Sequence, residues 1–228
     1  MNTYLLDIDG VLDGPVELPE IPGLGTQLPS NAVELAVVLP EPDAGHVWAL
    51  IEGEPKQLAD HRGKVYRTDT GAVEQHALLG ALPPSLTTIP KPSPGHQWQD
   101  GAWAEDPAYV HSAKVAEING SCEMAISSGF WSSALGSPHQ YSSQIDDQLN
   151  LTGTILRRRD MPYACRDEQN VKAFRLHTVD QLFQVGDDFT LYKLQLLQRA
   201  NELKQLLDQA LAAGDLTTIQ AVTWTDPQ

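Results

Sequence analysis

Two aspartates directly follow the apolar Tyr4-Leu5-Leu6, in the order Asp7-Ile8-Asp9-Gly10-Val11-Leu12. Two carboxylates this close are candidates for nucleophilic and acid–base work beside a metal ion. Gly186-Asp187-Asp188 offers a late acidic pair of the kind that holds such a metal. A second set combines Cys122 with His139 and Asp146 or Asp147, the types needed for nucleophile, base and orienting carboxylate. Cys122, however, falls on an apolar helical stripe, where a small hydrophobe is expected. His46, His61, His76, His96 and His111 are spread singly, with no pair at chelating spacing, and the two cysteines alone make no structural zinc site. These patterns assign no catalytic residue and no metal ligand, and no cofactor is expected.

The elements around each set decide between chemistry and structure. Asp7-Ile8-Asp9-Gly10 resembles the first motif of haloacid-dehalogenase-type phosphatases, which implies that Asp7 would attack phosphorus, Asp9 would act as general acid and base, and Mg²⁺ would neutralise the phosphate. That chemistry sits at the ends of parallel strands alternating with helices. Here the motif runs into Gly14-Pro15, Pro19 and Pro22, where a helix should follow. An ordinary turn is the preferred reading. A Mg-dependent phosphatase using Asp7 and Asp9 is the alternative.

Composition narrows the classes further. Fifteen Lys and Arg against thirty Asp and Glu leave a net charge of −15. A nucleic-acid-binding domain would need a cationic face, and so would docking on an anionic membrane, so neither partner is expected. No apolar run reaches the roughly 20 residues of a membrane span, and the start lacks the basic residues of a signal peptide. A soluble, acidic, cytoplasmic protein is expected.

The chain changes character near residue 110. Thirteen of its sixteen prolines lie in residues 1–110, which carry 16 acidic and 5 basic side chains; residues 111–228 carry 14 and 10. Dense proline breaks helices and favours short strands and turns. The expected fold is therefore α+β: a small proline-rich β-meander over residues 1–108, then a mainly helical domain over 109–228. In the first region, Val47–Ile51, Lys56–Ala59 and Lys64–Arg67 read as a meander, and Asp100-Gly101 between two tryptophans reads as a hairpin turn. Strands this few and short bury little area, so this region is expected to lean on a partner. In the second region, 3–4 spacing predicts helices over Ala113–Ser127 and Ser142–Arg159. Thr178 with Gln181 reads as a capping box, and a long helix follows Gly186-Asp187-Asp188 and ends at Gly214. That helix would form the spine of the domain or a seam for self-association.

Ser127 to Ser143 is rich in aromatic and small hydroxyl residues and nearly uncharged. Such a loop either packs on the domain through Phe130 and Trp131 or serves as a recognition surface, because Trp and Tyr offer rigid contact area and Ser adaptable hydrogen bonds. Phe130, Trp131, Leu135, His139 and Tyr141 are its candidate partner-binding residues.

Glu117-Ile118-Asn119, Cys122, Ser128-Gly129-Phe130, Ser133-Ala134-Leu135-Gly136, His139-Gln140-Tyr141 and Asp147 to Leu151 together resemble an uncharacterised C-terminal domain that recurs in phage tail fibre and tail fibre assembly genes. His177-Thr178, Gln181, Gln184-Val185 and Asp188 continue the pattern. Tyr4 to Asp7, Gly10 to Leu12, Ile21 to Gly25, Asn31 to Leu35 and Trp48-Ala49-Leu50 resemble the N-terminal region of tail fibre assembly chaperones from Pseudomonas-type phages and phage-tail-like bacteriocins. Residues 52–95 match nothing specific. The resemblance implies a non-enzymatic protein that binds the C-terminal region of a trimeric tail fibre while it folds, with some members staying on the fibre tip. It leaves self-association open, and a structural tail-tip component is a further alternative. It also implies that Asp7-Ile8-Asp9-Gly10 is a strand-turn without an active site.

Overall fold

The computed structural model describes residues 1–225, so the last three residues of the second region lie outside the described residues. The chain divides into two compact units, residues 1–104 and 105–228. Helices and antiparallel strands are both present, consistent with an α+β protein.

The first unit is built of short strands: β1 (Asn2–Leu6), β2 (Leu12–Asp13), β3 (Glu20–Ile21), β4 (Gly25–Thr26), β5 (Ala32–Leu35), β6 (His46–Ile51), β7 (Glu54–Ala59), β8 (Gly63–Arg67), β9 (Val73–His76), β10 (Leu86–Thr87), β11 (His96–Gln99) and β12 (Ala102–Glu105). They pair antiparallel in small separate sheets, with β1 between β2 and β5, and β8 between β9 and β10. The β6–β7 hairpin turns through Glu52 and Gly53, and β11–β12 turns through Asp100 and Gly101. All four residues have positive φ, as the tight hairpin turn that matches strand twist requires. Trp98 and Trp103 meet edge to face across the second turn, with centroids 5.1 Å apart. The expected meander does not continue into β8, which pairs with β9 and β10 instead of β7. Between β7 and β8, Arg62 is held by Asp60 through its backbone and guanidinium, and Gly63 with φ +111° redirects the chain. Only Tyr4, Leu12, Ala49 and Val65 are buried apolar residues here, so the core is small.

The second unit runs α1 (Pro107–Ser127), β13 (Phe130–Ser132), β14 (His139–Tyr141), α2 (Ile145–Leu156), β15 (Met161–Arg166), β16 (Lys172–His177), α3 (Val179–Ala212) and α4 (Leu216–Ala221). Asp106 caps α1 by accepting the Ala108 N–H at 2.9 Å, and proline opens the first turn, where its missing donor costs nothing. α2 is shorter than its apolar spacing predicts. Ser143 at its N-terminal side is drawn into the core, accepting the Gly129 N–H and donating to the Ile126 carbonyl, and Arg158 beyond its end has positive φ. The capping box at Thr178 and Gln181 forms as the spacing predicts, and α3 then runs through Gly186-Asp187-Asp188 without a break.

Two cores result. Ile118, Cys122 and Ile126 of α1 pack against Leu196, Ala200, Leu203 and Leu207 of α3, closed by Ile219 of α4. Phe130, Tyr141, Leu151, Cys165 and Val185 form the other, where the sheet meets α2 and α3. α2 comes so close to α3 at Gly186 that a Cβ there would lie 2.6 Å from Ile155 Cδ1. None of the helices among the described residues is long and apolar enough to cross a membrane.

Candidate functional site

The Asp7–Asp9 pair forms a turn at the end of β1. Asp7 Oδ1 accepts the backbone N–H groups of Asp9 (2.9 Å) and Val11 (2.7 Å). Arg62 reaches Asp9 at 2.7 Å and lies 3.7 Å from Asp7. The same guanidinium binds Asp60 and holds its carboxyl down to about 2 through that hydrogen bond. An arginine therefore occupies the place between the carboxylates where a phosphatase would need its metal, and β1 is the middle strand of an antiparallel sheet. Asp187 and Asp188 lie within α3, in the other unit.

The cysteine–histidine–aspartate set is not assembled. Cys122 lies in the α1–α3 core with its thiol against the Leu196 carbonyl at 3.7 Å, and burial pushes its pKa up, away from the reactive thiolate. His139 bonds the Ser137 carbonyl, and Asp147 accepts the Gln144 N–H as the capping box of α2. Among the described residues no three metal-binding side chains stand together.

Ser127 to Ser143 holds a hairpin, with Phe130 opposite Tyr141, Trp131 opposite Gln140 and Ser132 opposite His139. Successive strand residues point to opposite faces, and this separates the five candidate residues. Phe130, His139 and Tyr141 face inward and are buried, Leu135 is half-buried against the same core, and Trp131 faces outward with 55% of its surface exposed. Tyr141 is the centre of the inner face: its ring stacks on Phe130 and Tyr163, and its hydroxyl lies 2.8 Å from His177 Nε2. His177 Nδ1 lies 2.7 Å from the Arg175 carbonyl, which can only accept. Nδ1 therefore carries the proton, Nε2 accepts, and the Tyr141 hydroxyl donates. Burial pushes the Tyr141 pKa up and the His177 pKa down, keeping both neutral.

The sheet order β13-β14-β15-β16 carries the same alternation across four strands. The register sets Trp131 beside Gln140, Gln140 beside Arg166, and Arg166 beside Lys172; Ala164 faces Phe174, and Pro162 faces Leu176. Trp131, Phe174 and Leu176 are 55%, 76% and 68% exposed. This outer face is an apolar, basic patch on an acidic protein. Of the five candidates, Trp131 alone lies on it. Phe174, Leu176 and Lys172 were missed: the alternation Phe174-Arg175-Leu176-His177 marks a strand but would turn its apolar pair inward, whereas the structure buries His177 and exposes Phe174 and Leu176. α2 walls the patch on one side: Asp147, Asn150 and Thr154 line a trough of about 380 Å³ with Pro162, Ala164 and Phe174. A separate groove of about 540 Å³ between α2 and α3 is lined by Leu151, Ile155, Phe183, Leu194 and Leu197.

No solved structure matches the chain. A curated protein of Escherichia coli named "Tail fiber assembly protein homolog" is 42% identical over 59 residues, which is 25% of this chain and 29% of that protein's length. Residues 109–226 match a family described as a domain of unknown function. That match takes in the whole of β13 to β16, the helices that cover them and most of α1, and it spans more than half of the sequence: this chain belongs to the DUF4376 family.

Proposed function

We propose that this protein is a tail fibre assembly factor: a chaperone that binds the C-terminal region of a trimeric phage or bacteriocin tail fibre while it folds, without catalysing a reaction. The 59-residue similarity to a protein named for tail fibre assembly carries the reading. The surface described above supports it. A trimeric β-structured fibre must register three chains by non-local pairing, which is slow and leaves strand edges and apolar side chains exposed. An outward-facing sheet with Trp131, Phe174 and Leu176 offers a complementary surface. The charge of −15 keeps the free protein soluble.

Co-expression with the tail fibre that this reading expects the neighbouring gene to encode tests it. Soluble trimeric fibre should appear in its presence and aggregated fibre in its absence, measured by native gel and size-exclusion chromatography. An equal yield of trimer without it would end the proposal. Mass spectrometry of purified particles decides whether the protein leaves or remains at the tip.

A further inference from the structure

The outer face of the sheet ends at β16, and that edge is open. Asp167 N–H bonds the Val171 carbonyl at 3.3 Å, directly opposite it where the hairpin closes. Antiparallel pairs alternate between bonded and non-bonded. Lys172, Phe174 and Leu176 therefore fall in non-bonded pairs, and their N–H and C=O groups point away from β15. Pro162, which has no N–H to give, sits opposite Leu176, as that alternation requires. β16 has β15 as its neighbour on one side and no strand on the other among the described residues. The result is three N–H and three C=O groups in a row, beside exposed Phe174 and Leu176.

The charge on this edge is opposite to that of the molecule. Across β15, β16 and the turn between them, residues 161–177, stand three basic side chains and two acidic ones, a balance of +1 in a chain of −15. Arg175 is tied to Asp167 at 2.7 Å, whereas Lys172 has no ion-pair partner among the described residues. Lys172 and Arg166 bring positive charge to the outer face, with Asp147 of α2 lining the same trough as Lys172.

We propose that the β16 edge is a docking site for an extended acidic strand of another polypeptide, which adds to the sheet beside Lys172, Phe174 and Leu176. Main-chain bonds would hold the strand, as in β-strand addition generally. Its apolar side chains would lie with Phe174 and Leu176, and its carboxylates would meet Lys172 and Arg166. A second copy is disfavoured as the occupant, because edge-to-edge pairing would bring the Lys172 side chains of two positively charged hairpins together. This inference deepens the fibre-assembly reading and rests on it for the partner's identity; the edge itself can be tested alone.

The probe is a short fluorescent peptide, Thr-Val-Thr-Val-Thr-Glu-Thr, which sets both valines and the glutamate on one face of a strand, with the same peptide carrying Lys in place of Glu as control, each titrated into the full chain by fluorescence anisotropy. The acidic peptide should bind and the basic one should not. Amide hydrogen exchange should slow at Lys172, Phe174 and Leu176. Lys172→Glu, on an exposed side chain, should weaken binding about tenfold and more so at low salt. Phe174→Pro removes an outward donor at an edge position where proline is tolerated, and should abolish binding while the helical circular-dichroism signal persists. Equal binding of both peptides, binding of neither, protection in the α2–α3 groove instead, or dimers in the ultracentrifuge that Phe174→Pro dissolves would each overturn the proposal. Because no fibre is present, this outcome is independent of the co-expression result. A folded Phe174→Pro chain that loses the peptide yet still rescues the fibre would remove the edge from fibre binding and leave the assembly role standing.

Discussion

Tyr141 and Trp131 lie on opposite faces of one hairpin, and their replacement should have opposite consequences. Tyr141→Phe removes only the hydroxyl that donates to His177 Nε2 at 2.8 Å, leaving a buried acceptor without a partner. An orphaned buried polar group costs about 1–3 kcal/mol. Tyr141→Ala also removes a fully buried ring stacked on Phe130 and Tyr163, and large-to-small changes of an aromatic in a core cost about 3–5 kcal/mol. Trp131→Ala deletes a side chain more than half exposed, so about 0.5 kcal/mol is expected. All four helices among the described residues belong to the second unit, so ellipticity at the helical minimum reports its unfolding. With a urea slope of about 2 kcal/mol per molar, Tyr141→Phe should lower the midpoint by about 0.5–1.5 M, Tyr141→Ala by more, and Trp131→Ala by about 0.25 M. Fibre binding should follow the reverse order among folded variants. A neutral Tyr141→Phe beside a strongly destabilising Trp131→Ala would show that the assignment of faces is wrong.

His177 adds a pH dependence with a defined sign. Burial holds its folded pKa below the ordinary value of about 6.5 kept in the unfolded chain. The unfolded state therefore binds more protons in that interval, and stability is lost as pH falls from about 6.5 toward the folded pKa. The urea midpoint should drop between pH 7 and 5, and His177→Gln, which keeps a donor and an acceptor, should flatten that drop; an unchanged slope would assign it to other groups. Thr178→Ala removes the hydroxyl that accepts the Gln181 N–H at the start of α3 and should cost about 1 kcal/mol, read from the same melt. No change in the midpoint would mean that the capping box is replaced by water.

Local periodicity made several elements legible in the sequence. The capping box at Thr178, the long apolar stripe of α3, the stripe of α1 through Ile118, Cys122 and Ile126, and the Asp100-Gly101 turn each depend on residues within a few positions of one another. The turn at Asp7 was readable for the same reason, since its hydrogen bonds span four residues or fewer. Arg62 was not, because it joins Asp9 from 53 residues away. Tertiary structure alone decided that β8 abandons β7 for β9, and that Phe130, His139 and Tyr141 face inward while Trp131 faces out. Residues 127–143 alternate in a way that becomes meaningful only when β15 and β16 supply the rest of the sheet and α3 covers one face. The basic, apolar outer face has the same origin: Trp131 and Phe174 are 43 residues apart in the chain and reach one surface only through the strand register. Sequence fixes side-chain chemistry and short-range bonding; which face meets water depends on pairing partners that lie far along the chain.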